Sequence, residues 1–79
     1  MADDTIHIDR KEHSSAEILE YLDAGNRVIV TVSALGIEGE VALRKNDGEY
    51  VCDTGFKLMS YDDRGEMKRC IERLRLTAE

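Results

Sequence analysis

Hydrophobic and polar positions along the chain change their period several times, and each change predicts an element. The stretch "TIHI" (5–8) alternates weakly and reads as a short edge strand. After "RKEH", Ser14 with Glu17 three residues on forms a capping-box pattern that opens a helix. Ile18, Leu19 and Leu22 fall on one face of that helix, with Tyr21 beside them, and Gly25 is its natural stop. The β-branched run "RVIVTVS" (27–33) predicts a strand with Val28, Val30 and Val32 on one face and Ile29, Thr31 and Ser33 on the other. "ALG" is expected to turn the chain into "IEGEVALRK" (37–45), with Ile37, Val41 and Leu43 inward and Glu38, Glu40 and Arg44 outward.

"NDG" (46–48) is a hairpin signal, because Asp-Gly suits a tight primed turn. A two-residue loop at Asp47-Gly48 sets Asn46 against Glu49, Leu43 against Cys52 and Val41 against Thr54. That register gathers Val41, Leu43, Tyr50 and Cys52 on one face, and a slip by one residue would turn them all outward. "GFKLMSY" (55–61) continues as a further strand or a loop, with Phe56 and Leu58 inward in the strand reading. "DDRGE" then opens a last helix over 62–78, with Asp63 as its cap and Met67, Cys70, Ile71, Leu74 and Ala78 as its apolar stripe. The resulting expectation is a single α+β domain over 1–79, residues 1–4 disordered, in the order β-α-β-β-β-(β)-α. Its sheet is expected to be antiparallel, with two amphipathic helices on one face and the other face wet.

Composition narrows this picture. A 79-residue chain buries a modest core, and with no Trp and one Phe that core must be built of Val, Ile, Leu and Met. The net charge is −6, which repels phosphate and anionic lipid at long range and disfavours nucleic-acid and membrane partners. The charge is uneven: residues 1–26 carry seven acids against two bases, whereas residues 60–79 carry five of each. Arg outnumbers Lys seven to four. This resembles the composition of proteins from a halophilic archaeon, where a hydrated acidic surface stays soluble in salt; an acidic bacterial protein from a GC-rich genome reads the same way. No apolar run reaches the length of a membrane span, and "MADDTIHIDR" lacks the pattern of a signal peptide, so the expected location is cytoplasmic. Cys52 and Cys70 are then expected as buried thiols.

Asp53-Thr54-Gly55 resembles the catalytic loop of the retroviral-type aspartic proteases, which pair one such loop from each subunit so that two carboxylates share a proton. That resemblance implies a Gly-rich flap and a later apolar-apolar-Gly element. Here Gly55 is followed only by Gly65, at a helix start, and the register sets Asp53 on the wet face. A bend at a strand end is the favoured reading. His7, His13, Cys52 and Cys70 lack metal-ligand spacing, and no nucleophile elbow or phosphate loop is present. The expectation is a chain that is not an enzyme, with no cofactor and no metal.

The helix-strand-strand-strand-helix order resembles the double-stranded-RNA-binding domain. That family has a Lys-rich start to its second helix, where this chain has "DDRGE". "LDAGNRVIVTVSALGIEGEV" resembles the first half of an Sm-like RNA-binding domain, whose second motif is absent here. What remains for phosphates or for a partner's carboxylates is Lys68, Arg69, Arg73 and Arg75 along the last helix, against a solvated face that also carries Glu66, Glu72 and Glu79. Leu76 sits off the Met67–Leu74 stripe and is the leading interface residue, with Ile71 and Leu74 near it. The function expected from all this is a small interaction or regulatory module that self-associates; the alternative is a nucleic-acid-binding domain using the basic face of the last helix.

Overall fold

The structure is a computed structural model that describes residues 4–34 and 37–78 and, among these, the side chains of all but Ala34 and Ile37. The expected turn at Leu35-Gly36, the inward side chain of Ile37 and the disorder expected for residues 1–3 lie outside the described residues. Asp4, expected in the disordered terminus, is engaged: its carbonyl accepts a hydrogen bond from the Arg27 amide at 2.9 Å.

Seven elements follow one another: β1 (Thr5–Asp9), α1 (Ser15–Asp23), β2 (Arg27–Ala34), β3 (Ile37–Asn46), β4 (Glu49–Asp53), β5 (Leu58–Tyr61) and α2 (Arg64–Arg73). The five strands form one sheet in sequence order. β2 through β5 pair antiparallel, but β1 pairs parallel to β2, with Ile6 opposite Val28 and Ile8 opposite Val30. The sheet is therefore mixed, which corrects the all-antiparallel expectation. The reason is topological: β1 reaches β2 through α1, and a crossover through a helix returns the chain to the end it started from.

α1 forms as its capping signals predict. The Ser14 side chain accepts from the Glu17 amide while the Glu17 carboxylate accepts from the Ser14 amide. At its other end Gly25 takes φ +94, and the amides of Gly25 and Asn26 donate to the carbonyls of Leu22 and Tyr21, a Schellman closure. The Asp47-Gly48 turn has positive φ at both residues, +51 and +83, and pairs Asn46 with Glu49 and Leu43 with Cys52 as the sequence predicts. β4 ends at Asp53, so the further pairing of Val41 with Thr54 does not form.

One cluster forms the core. Ile18, Leu19 and Leu22 from α1 and Met67, Cys70 and Ile71 from α2 meet Val28, Val30, Val41, Leu43, Tyr50 and Cys52 from the sheet. Both helices thus cover one sheet face. Thr31 and Val51 are half-buried, and Glu38, Glu40, Arg44 and Asp53 are exposed on the other face.

Two expectations fail at the C-terminal third, and a third holds in position only. α2 stops at Arg73 rather than running to residue 78. Asp63 is its N-cap residue, but its side chain makes no capping hydrogen bond. Phe56 and Leu58, expected inward, are 102% and 64% exposed. The last result follows from the loop: Asp53 pairs with Leu58, directly opposed residues share a face, and Asp53 faces solvent. Met59 and Tyr61 take the inward positions instead.

Candidate interaction surface

The turn between β4 and β5 is built by Asp53, Thr54 and Gly55. Asp53 Oδ1 accepts from the Gly55 amide at 2.9 Å, and Thr54 Oγ1 accepts from the amides of Phe56 and Lys57 at 3.3 and 3.1 Å. The Thr54 amide returns a bond to the Lys57 carbonyl at 3.1 Å, and Gly55 supplies φ +88. These are the local side-chain bonds by which Asp and Thr stabilise turns. They give the Asp-Thr-Gly run a structural role: it holds Phe56 out at the tip and delivers the chain into β5.

β5 is an edge strand, bonded to β4 on one side only. Its four residues, Leu58, Met59, Ser60 and Tyr61, carry no charge in a chain whose residues are 35% charged. Lys57 precedes it, and Asp62 and Asp63 follow. Edge strands are commonly protected by charges, bulges or covering elements. This one presents exposed Leu58 within the strand and exposed Phe56 two residues before it.

The residues expected at a partner surface are dispersed. Lys68, Arg69 and Arg73 are exposed on α2, with Lys68 Nζ 3.9 Å from Glu72. Arg75 leaves this group, because the chain has already turned: Arg75 has φ +59, and its carbonyl accepts from Arg10 Nε at 2.8 Å. Leu76 is 1% exposed, which corrects its reading as the leading interface residue. That reading placed Leu76 on an extended helical wheel. The helix instead closes with Arg75 amide to Glu72 carbonyl and Leu76 amide to Ile71 carbonyl, which swings Leu76 back into the core. Ile71 is likewise fully buried and Leu74 half-buried.

Cys52 and Cys70 meet in the core as free thiols, one from β4 and one from α2. Burial, reinforced by Cys70, pushes the Cys52 thiol up to about 12, so Cys52 stays protonated and unreactive. Among the described residues no group of three or more His, Cys, Asp or Glu could hold a metal ion, and no helix is long and apolar enough to cross a membrane.

One family matches this chain over residues 1–79, and its description is "Family of unknown function (DUF8001)". The chain belongs to that family. No curated protein and no solved structure matches at a significant level. The β5 edge is a feature no motif pointed to. Its signal in the sequence was the uncharged run of four between Lys57 and Asp62, which alternation alone did not distinguish from a core strand.

Proposed function

We propose that this DUF8001 chain is a non-enzymatic interaction module that pairs with a second copy of itself through the β5 edge. The observation that carries the reading is the exposed, charge-free edge strand bracketed by opposite charges. Antiparallel pairing of two β5 strands about a two-fold axis at Met59, normal to the sheet, sets Lys57 of each copy diagonally across from Asp63 of the other. This is the self-complementarity that an isologous interface requires, and it supplies register more than affinity. The same axis keeps the helices of both copies on one side of a continuous sheet. Leu58 of each copy then lies diagonally across the seam from Leu58 of the other, on the solvent face. Two chains of charge −6 repel over most of their surface, and the neutral edge is where they can approach.

The acidic, Arg-rich composition supports a setting in the cytoplasm of a salt-adapted cell, where salt screens that repulsion. Solution mass by light scattering tests the reading. The wild-type chain is a dimer, and its association strengthens as salt rises. Leu58→Lys, at an exposed site that the monomer does not need, yields a folded monomer. A wild-type monomer at high salt, or a dimer indifferent to Leu58→Lys, sinks the proposal. The alternative, a nucleic-acid binder using Lys68, Arg69 and Arg73, requires the opposite salt response, because phosphate contacts weaken steeply with salt.

A further inference from the structure

At the other end of the sheet from the β4–β5 turn, the start of β2 and the end of β3 frame an open cleft of about 210 Å³, lined by Gly25, Asn26, Arg27, Arg44, Lys45 and Asn46. The paired register ends at Val28 opposite Leu43, and Arg27 and Arg44, the next residue on each strand, both line the cleft. Both arginines are exposed, and neither side chain has a carboxylate partner among the described residues. Like charges brought close across two strands are destabilising. A chain with seventeen acids and eleven bases nevertheless leaves this pair uncompensated. Lys45 adds to the positive charge, since its one acidic partner among the described residues, Asp23 at 3.4 Å, is shared with Arg64 at 3.0 Å. The residues lining the cleft therefore carry net positive charge on an acidic protein, with Asn26 and Asn46 among them.

We propose that this cleft binds a small phosphate-bearing anion, held by the guanidinium groups of Arg27 and Arg44. Guanidinium forks match phosphate oxygens in pairs, and a phosphate's double charge offsets both arginines. Gly25 leaves the approach open, because nothing lies within 4 Å of where a side chain would stand. The surroundings limit the ligand's size. Asp47 and Glu49 in the β3–β4 hairpin and Asp4 against Arg27 flank the cleft, so a long polyanion meets like charge on leaving it. Free phosphate and the phosphate of a small monoester share this chemistry.

The test titrates inorganic phosphate, pyrophosphate and glycerol phosphate into the full chain at low ionic strength, following the amide resonances of Gly25, Asn26 and Asn46 and the melting temperature. Sodium chloride of matched ionic strength is the control. Phosphate shifts those resonances and raises the melting temperature, and chloride does neither. Arg27→Gln and Arg44→Gln each weaken binding roughly tenfold, Arg44→Lys weakens it less, and Arg69→Gln on α2 leaves it unchanged. Without anion the two Gln variants melt at or above the wild-type temperature, an outcome that a purely structural role for these arginines does not give. Tighter binding of glycerol phosphate than of phosphate assigns a monoester as the ligand, and equal binding assigns the free ion. Shifts reproduced by chloride, or unaffected by Arg44→Gln, overturn the proposal. The oligomeric state does not enter this readout.

Discussion

Asp23 is a residue on which four elements converge. It ends α1, and its Oδ1 accepts the Tyr50 hydroxyl at 2.6 Å and Lys45 Nζ at 3.4 Å, while Oδ2 accepts Arg64 Nε at 3.0 Å. α1, β3, β4 and the start of α2 are thus tied at one carboxylate. The Tyr50 bond first, with Arg64 and Lys45 adding to it, holds Asp23 below the usual carboxylate range. The same bond holds the Tyr50 hydroxyl above the usual phenol value. Asp23's contribution is present above its unfolded pKa of about 3.9 and is lost as pH falls through the lower folded value; Tyr50's is present below about 10 and is lost as pH rises through the higher folded value. Urea unfolding across pH should therefore show stability falling at both extremes. Tyr50→Phe should cost about 2 kcal/mol near neutrality and flatten both slopes; an unchanged acid limb in that variant would remove Tyr50 as the cause. Nothing in the sequence marks this hub, because its members are spread from position 23 to position 64 and only the fold brings them together.

At the scale of elements, the two helices end in the same Schellman closure with different residues in the left-handed position. Gly25 announced the end of α1. Arg75 conceals the end of α2, and the apolar stripe alone predicts a helix running on to Ala78. An arginine held at φ +59 stores about 1 kcal/mol relative to glycine. Arg75→Gly should raise unfolding stability by about 1 kcal/mol, measured by urea denaturation; a loss would mean that the stem of Arg75 packs usefully where it lies. What was legible here is what is chemically local: the Ser14–Glu17 box, the Asp47-Gly48 turn and the register they impose. The outward turn of Leu58 was not, because the Thr54–Lys57 loop reset the alternation by bonds to a single hydroxyl. The parallel pairing of β1 was not either, because "TIHI" carries no sign of its neighbour.

At the scale of the whole molecule, two helices cover one face of a five-stranded sheet, and the two proposed contacts lie at opposite ends of what remains. The basic cleft at β2–β3 is concave and hydrogen-bonding, suited to a small anion. The β5 edge is uncharged and is the surface proposed to meet another copy. A small core gains stability from association, so dimerisation at β5 should make the melting temperature rise with protein concentration. The measurement that bears most directly on this account is amide hydrogen exchange at Leu58, Met59, Ser60 and Tyr61 as a function of concentration in high salt. Pairing predicts that the β5 amides pointing away from β4 become protected as concentration rises, and that Leu58→Lys abolishes this protection. Exchange at those amides that is fast and independent of concentration, beside a stable core, would contradict it.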